Sequence, residues 1–432
     1  MTEAFLQYVW GQRLYLSAAQ TTVAGEVVEV LNPGRLNTDA GPDFFNAQVR
    51  VGTTTWAGNV EVHQTTDDWY RHGHDADPAY DNVILHVVGC STRRGVKTSA
   101  GVEIPEVELR YDSRLAEQYD ALVGSAAGTP IRCAKVIPEI PGVVRTAWMD
   151  ALLVERMRVK CDRALGYIDE FHGDLDQAFF CLLSRSLGAK VNAEPMEMLA
   201  RSTPLRILLK HNGPLQTEAV LFGQSGLLGE APSDEYVVLL RREYDFLQMK
   251  FALEPLDASV WKYARLRPQN FPDVRIAQLA AAVRSMPGNF QGSVSVAWDG
   301  VLSQSPSDYW DTHFRLGVRS KGGKRGKSLG QTARRQVMVN AVAPFALAEA
   351  ERYDDEGRRL AAVEMLRRLP TERNSILDAW AAAGLKVGNE ADAQALLHLW
   401  SEFCERGECL RCRFGHYVIS RGGSPVPYVV RG

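Results

Sequence analysis

The residues best placed for chemistry lie between positions 41 and 63. They form Gly-Pro-Asp-Phe-Phe-Asn-Ala-Gln-Val-Arg-Val (41–51), a polar turn, then Trp-Ala-Gly-Asn-Val-Glu-Val-His (56–63). Asp43 opens one expected strand, and Glu61 and His63 stand two residues apart on the next. Successive side chains of a strand point to opposite faces, so Glu61 and His63 share one face and Val60 and Val62 the other. Two carboxylates and a basic group meeting at a sheet edge can hold a divalent metal and orient a water. The plainer alternative is an Asp that caps a turn after Gly41-Pro42, with Glu61 and His63 on a solvated face.

Three further groups deserve weighing against equally plain alternatives. His72, His74, Asp75, Asp77 and His86 form a second possible metal set, although His72 and His74 fit better as water or phosphate contacts bordering the first site. Cys404, Cys409 and Cys412 are spaced C-x4-C-x2-C with His416 four positions on. Thiolates this close suit Zn²⁺ or an iron-sulfur cluster, with His416 supplying a fourth ligand; the alternative is buried thiols that pack the last helix. Residues 315–335 hold eight Lys or Arg and no acid. Gly326-Lys327-Ser328 is not a phosphate loop, because the glycine that motif needs five residues earlier is Lys321. A flexible cationic loop contacting phosphates through Lys321, Lys324, Arg325 and Lys327 is the functional reading, and a solvated loop the ordinary one.

The whole chain sets the frame. Its 432 residues, 45% of them hydrophobic, are enough for two or three domains with real cores. A formal charge of -3 gives no global field toward nucleic acid or membrane, so any basic surface is local. The first residues lack a signal-peptide pattern and no run reaches the roughly 18 apolar residues of a membrane span, so a cytoplasmic protein without membrane contact is expected. Seven cysteines, an odd number in a long chain, argue for free thiols. Periodicity predicts a helix over 3–16 and strands over 26–31, 44–51 and 56–64. A turn capped from 65–68 follows, then strands over 82–88 and 103–110. From 144 onward the pattern is helical. The expectation is an α+β protein: an α/β domain over 1–125, a helical domain over 144–310, and a helical C-terminal region over 311–432 ending in a mobile tail.

Several stretches resemble an uncharacterised bacterial family defined as a domain of unknown function. They are Asn-Pro-Gly-Arg-Leu-Asn-Thr-Asp-Ala-Gly-Pro-Asp-Phe-Phe-Asn-Ala (32–47), the run at 56–63, Asp-Trp-Tyr-Arg-His-Gly-His (68–74), Leu-Phe-Gly-Gln-Ser-Gly-Leu-Leu (221–228) and Leu-Arg-Pro-Gln-Asn-Phe-Pro (266–272). More distantly, the first part is similar to the PD-(D/E)XK nuclease superfamily, built on a helix followed by a strand meander. By position Pro42-Asp43 matches the first half-motif, Glu61 the second acid, His63 the usual lysine, and Glu3 the acid some members carry on the first helix. This resemblance implies a restriction-endonuclease-like sheet and metal-dependent hydrolysis of nucleic-acid phosphodiesters, DNA rather than RNA, with Mg²⁺ or Mn²⁺ on Asp43 and Glu61. His63 departs from the pattern. Its unperturbed pKa near ~6.5 leaves it mostly neutral at pH 7, able to ligate metal or take a proton, and imidazole tilts preference toward Mn²⁺ or Zn²⁺. The alternative is a catalytically inactive nucleic-acid-binding or scaffold protein of the same fold.

Overall fold

Thr2 starts the first helix: its side-chain oxygen accepts from the N–H of Phe5, satisfying one free donor of the first turn. This helix, α1 (Glu3–Gly11), buries Phe5, Leu6, Tyr8, Val9 and Trp10. It stops at Gly11 and does not run to 16 as expected, because Arg13 turns left-handed (φ 55°) and Tyr15 leaves to bridge Tyr111. The computed structural model describes residues 2–16, 19–93, 95–124, 130–211, 213–232, 234–286, 297–371 and 373–420. The tail expected to be mobile lies outside the described residues.

Packing groups the chain into two units where the sequence suggested three consecutive segments. The first comprises Met1–Trp148, Ser375–Lys386 and Leu397–Gly432; the second comprises Met149–Asn374 and Val387–Leu396. The first unit holds the sheet. After β1 (Ala19–Thr21), β2 (Val27–Asn32) and the short β3 (Arg35–Leu36) come β4 (Phe44–Val51) and β5 (Thr54–Thr65). The turn helix α2 (Asp68–Arg71) then leads to β6 (Val83–Cys90), β7 (Val96–Lys97), β8 (Glu103–Ile104) and β9 (Glu106–Glu108). The spatial order is β1-β2-β4-β5-β6-β9, antiparallel as far as β5 and parallel from β5 through β6 to β9. A bridge between Thr22 and Val107 ties the first edge to the last, so the sheet nearly closes on itself.

The expected strand over 103–110 breaks at Pro105, which has no N–H to donate. As a result β8 pairs with β7 while β9 joins the main sheet. One sheet face is apolar: Phe44 pairs with Val60, Val60 with Leu85, and Val62 with Val87. On that face α1 packs closely, with Phe44 against Gly11 and Leu6 against Gly89. Fully burying each such Val or Leu contributes about 1.5–3 kcal/mol.

The second unit is helical around a core that includes Phe179, Phe222, Phe345, Trp298 and Trp310. Pro204 separates two helices, Ala193–Ser202 and Leu205–Lys210. Before Pro344 the helical run from Gln331 to Arg352 widens into a π turn, Met338–Val342, which relieves the clash a proline ring makes with the preceding turn. The protein is thus mixed α+β, a near-closed sheet in one unit and helices in the other. Among the described residues no helix is long and apolar enough to cross a membrane.

Candidate functional site

A bulge in β4 aims the first acid. Phe44 pairs with Val60 but Ala47 with Gly58, so three steps along β4 match two along β5. Asn46 absorbs the extra residue in a left-handed conformation (φ 58°), which asparagine tolerates better than most side chains. One residue of slip reverses the face of everything before it. Phe44 therefore joins Ala47, Val49 and Val51 in the core, the place that unbroken alternation gives to Phe45. Asp43 turns instead to the face of Glu61. The N–H of Asp43 donates to Glu61 Oε2 at 3.0 Å, and the N–H of Val62 donates to Asp43 Oδ2 at 3.0 Å. The expected sheet edge is not where this happens: β5 lies between β4 and β6, inside the sheet.

A helix end aims the histidines. His72 caps α2, Gly73 is left-handed (φ 77°), the N–H of Gly73 donates to the Tyr70 carbonyl and that of His74 to the Trp69 carbonyl. This pair of bonds is the Schellman termination, whose left-handed position favours glycine. Asp68 does not cap the turn as expected; its carboxylate accepts from the N–H of Thr65. The His74 ring is clamped by stacking on Tyr80, with ring centroids 3.7 Å apart.

Parallel pairing supplies the rest. Glu61 is in register with His86, and His86 with Glu106, so three polar side chains from adjacent strands share the face that also carries His63. Glu106 Oε1 accepts from the hydroxyls of Thr66 (2.9 Å) and Ser91 (2.8 Å), and its Oε2 lies 3.0 Å from His86 Nδ1. His86 Nε2 lies 2.9 Å from His63 Nδ1. A carboxylate only accepts, so His86 Nδ1 donates to it. A neutral His86 then accepts at Nε2, His63 donates from Nδ1, and a lone pair is left at His63 Nε2. Burial, followed by the neighbouring imidazoles of His86, His74 and His72, pulls the His63 pKa down to about 2, which keeps that nitrogen unprotonated.

The lone pair faces a ligand-like set. Donor atoms of His63, His72 and His74 all lie within 4.8 Å of one another. His63 Nε2 stands 3.2 Å from His72 Nδ1 and 3.5 Å from Glu61 Oε1, and His74 Nε2 stands 3.3 Å from the same carboxylate oxygen. Zinc–nitrogen bonds of about 2.0–2.1 Å place neighbouring ligands of a tetrahedron about 3.3–3.4 Å apart. The buried Nε2 of His74 makes no hydrogen bond. His63, His74 and Glu61 are buried while His72 is exposed, so solvent reaches the set from the His72 side. Burial, then the charge of Glu61, pushes Asp43 up to about 7, and burial raises Glu3 as well. Tyr80 is pushed up to about 12 by burial and by the carboxylates of Glu61 and Asp43.

The fold thus gathers Asp43, Glu61, His63, His72 and His74, and it shifts the ligand-like group from the two acids to the histidines. His86 serves behind His63. Asp75 and Asp77 stay exposed, and Asp77 accepts from the N–H of Ala79. Sequence reasoning missed Glu106 and Thr66, whose only sequence signal is polarity within a β-rich stretch. In the second unit Lys327 is a correction: it is 5% exposed, and its ammonium donates to the carbonyls of Arg325 (2.9 Å) and Asp311 (3.3 Å). Lys324 pairs with Asp311 at 3.5 Å, while Lys321 and Arg325 are exposed.

These features define a mixed α+β protein with a histidine-rich, carboxylate-backed site on its sheet. Over residues 3–375 the chain matches the family described as "Protein of unknown function (DUF2851)", and it belongs to that family. The chain has no match among curated proteins or among solved structures.

Proposed function

We propose that this protein is a metal-dependent hydrolase of nucleic-acid phosphodiesters. His63, His72 and His74 hold a divalent metal, and Glu61 and Asp43 handle the attacking water. The observation that carries the reading is the trio of imidazole donors within 4.8 Å, with Glu61 Oε1 at 3.3 and 3.5 Å from two of them. Three protein ligands and one open position are the pattern of catalytic zinc sites, and imidazole favours Zn²⁺ or Mn²⁺ over the Mg²⁺ of an all-carboxylate site. Such a metal lowers the pKa of its water to about 7, and Asp43, held near the same value, is matched to accept the proton. The water oxygen then bonds to phosphorus, the ester P–O bond breaks, and the proton passes to the leaving oxygen.

The choice of a phosphodiester rests on the order of elements, a helix and then a strand meander bearing Asp43 and Glu61, which resembles PD-(D/E)XK nucleases. It is supported by the exposed Lys321, Lys324 and Arg325. The burial of His63 and Glu61 favours a second reading, a non-cleaving nucleic-acid-binding protein in which the metal only braces the fold. The deciding experiment strips the full-length protein of metal, restores Mn²⁺, Zn²⁺ or Mg²⁺ one at a time, and follows cleavage of DNA and RNA. Cutting restored by Mn²⁺ or Zn²⁺ and lost in both His72→Ala and Glu61→Ala is expected. Binding without cutting under every metal would leave the second reading standing.

A further inference from the structure

Four cysteines, Cys133, Cys404, Cys409 and Cys412, line one cavity in the first unit, and all are free thiols. The sequence had grouped three of them with His416. In the fold His416 turns to Tyr8, whose hydroxyl lies 2.7 Å from its Nδ1, and Cys133 arrives from far earlier in the chain as the fourth thiol.

The frame around these sulfurs is built tightly. Cys133 sits in a turn where its carbonyl accepts from the N–H groups of Val136 and Ile137. In the 403–412 loop the N–H of Glu408 donates to Phe403, that of Cys409 to Gly407 and that of Cys412 to Cys409. The last helix, Arg413–Ser420, begins directly after Cys412, and a side chain at Gly415 would overlap the Cys409 carbonyl. Burial pushes the Cys412 thiol up to about 11, and the N–H groups of Phe414 and Gly415 and the Trp148 indole offset only part of this; burial raises Cys409 as well, with Arg132 offsetting part.

Spacing chooses between the two centres that four thiolates suit. A single zinc with bonds of about 2.3 Å holds its sulfurs about 3.8 Å apart. The four cysteines line a cavity with an empty interior, which sulfurs gathered on one ion would close. A four-iron cubane holds its cysteine sulfurs farther apart than one tetrahedral ion can. We propose that Cys133, Cys404, Cys409 and Cys412 ligate a [4Fe–4S] cluster that pins the C-terminal loop and last helix to the turn around Cys133.

The test uses full-length protein purified without oxygen, with iron, zinc and acid-labile sulfide measured per chain alongside the visible absorption of sulfide-to-iron charge transfer. About four irons and four sulfides per chain are expected. Both should fall more than tenfold in Cys133→Ser, and both should persist in His416→Ala and in Cys90→Ser, which alters an exposed thiol outside the cavity. Should Cys133→Ser fail to fold, wild-type protein stripped by chelator and rebuilt with ferrous iron and sulfide serves the same purpose, since recovery of the absorption supports the cluster. Zinc bound in place of iron, lost in Cys133→Ser but kept in His72→Ala, overturns it. So does protein that takes up no iron or sulfide on reconstitution. Metal lost only in His72→Ala belongs to the histidine site, so the two proposals fail separately.

Discussion

The sheet residues between 43 and 106 and the basic segment at 315–335 both promised chemistry, and the fold treats them in opposite ways. On the sheet, residues from four separate stretches converge: Glu61 and His63, His72 and His74, His86, and Glu106. In the basic segment neighbours in sequence part company. Lys327 turns inward onto two carbonyls and the face of Phe314, and Lys324 leans on Asp311, while Lys321 stays exposed. The difference lies in what spacing means in each place. In a strand, two residues apart is a geometric statement about faces. In a loop, a run of charge says nothing about where each charge points.

The contrast can be broken most severely at the histidines. His63→Ala combined with His72→Ala should abolish stoichiometric metal binding in equilibrium dialysis, because two of three imidazoles are gone; unchanged affinity would remove the site. One step back, Glu106→Gln keeps the shape but weakens the relay that orients His63, and metal affinity should fall about 10–100-fold. An equal affinity would show that the ring is oriented by packing alone.

Lys327→Ala should destabilise the second unit by about 1 kcal/mol, since two part-buried carbonyls lose their donor. Chemical denaturation reads this directly. Its DNA-binding salt dependence should match wild type. Asn46→Val forces a β-branched residue into the left-handed region and should cost about 1–2 kcal/mol, with Asn46→Gly close to neutral. Equal loss in both variants would dismiss the bulge as the cause. The smallest effect is expected at Lys321, where alanine should leave the melting temperature unchanged and flatten the log-log salt slope on duplex DNA by about 0.9 if that ammonium meets one phosphate.

Parts of this design were legible before folding was considered. Strand alternation correctly put Glu61 and His63 on one face and Val60 and Val62 on the other. His72-Gly73-His74 was recognisable as a pair of donors around a flexible glycine, although its role as a helix end was not. Alternation failed at Phe45 because a bulge leaves no pattern beyond one asparagine able to turn left-handed. Glu106 could not be linked to His86 because parallel strands pair across a connection whose length does not determine register.

What the sequence determined by itself was local: the phase of β5 and the close spacing of Cys404, Cys409 and Cys412. Those features follow from strand torsions and side chains a few residues apart. Tertiary structure alone decided which distant partners complete each set. Glu106 stands behind His86, Asp43 reaches the face of Glu61, Cys133 and not His416 joins the other cysteines, and Lys327 is taken out of solvent. The physical reason is common to all four: register, bulges and chain closure bring together groups that no short-range rule connects.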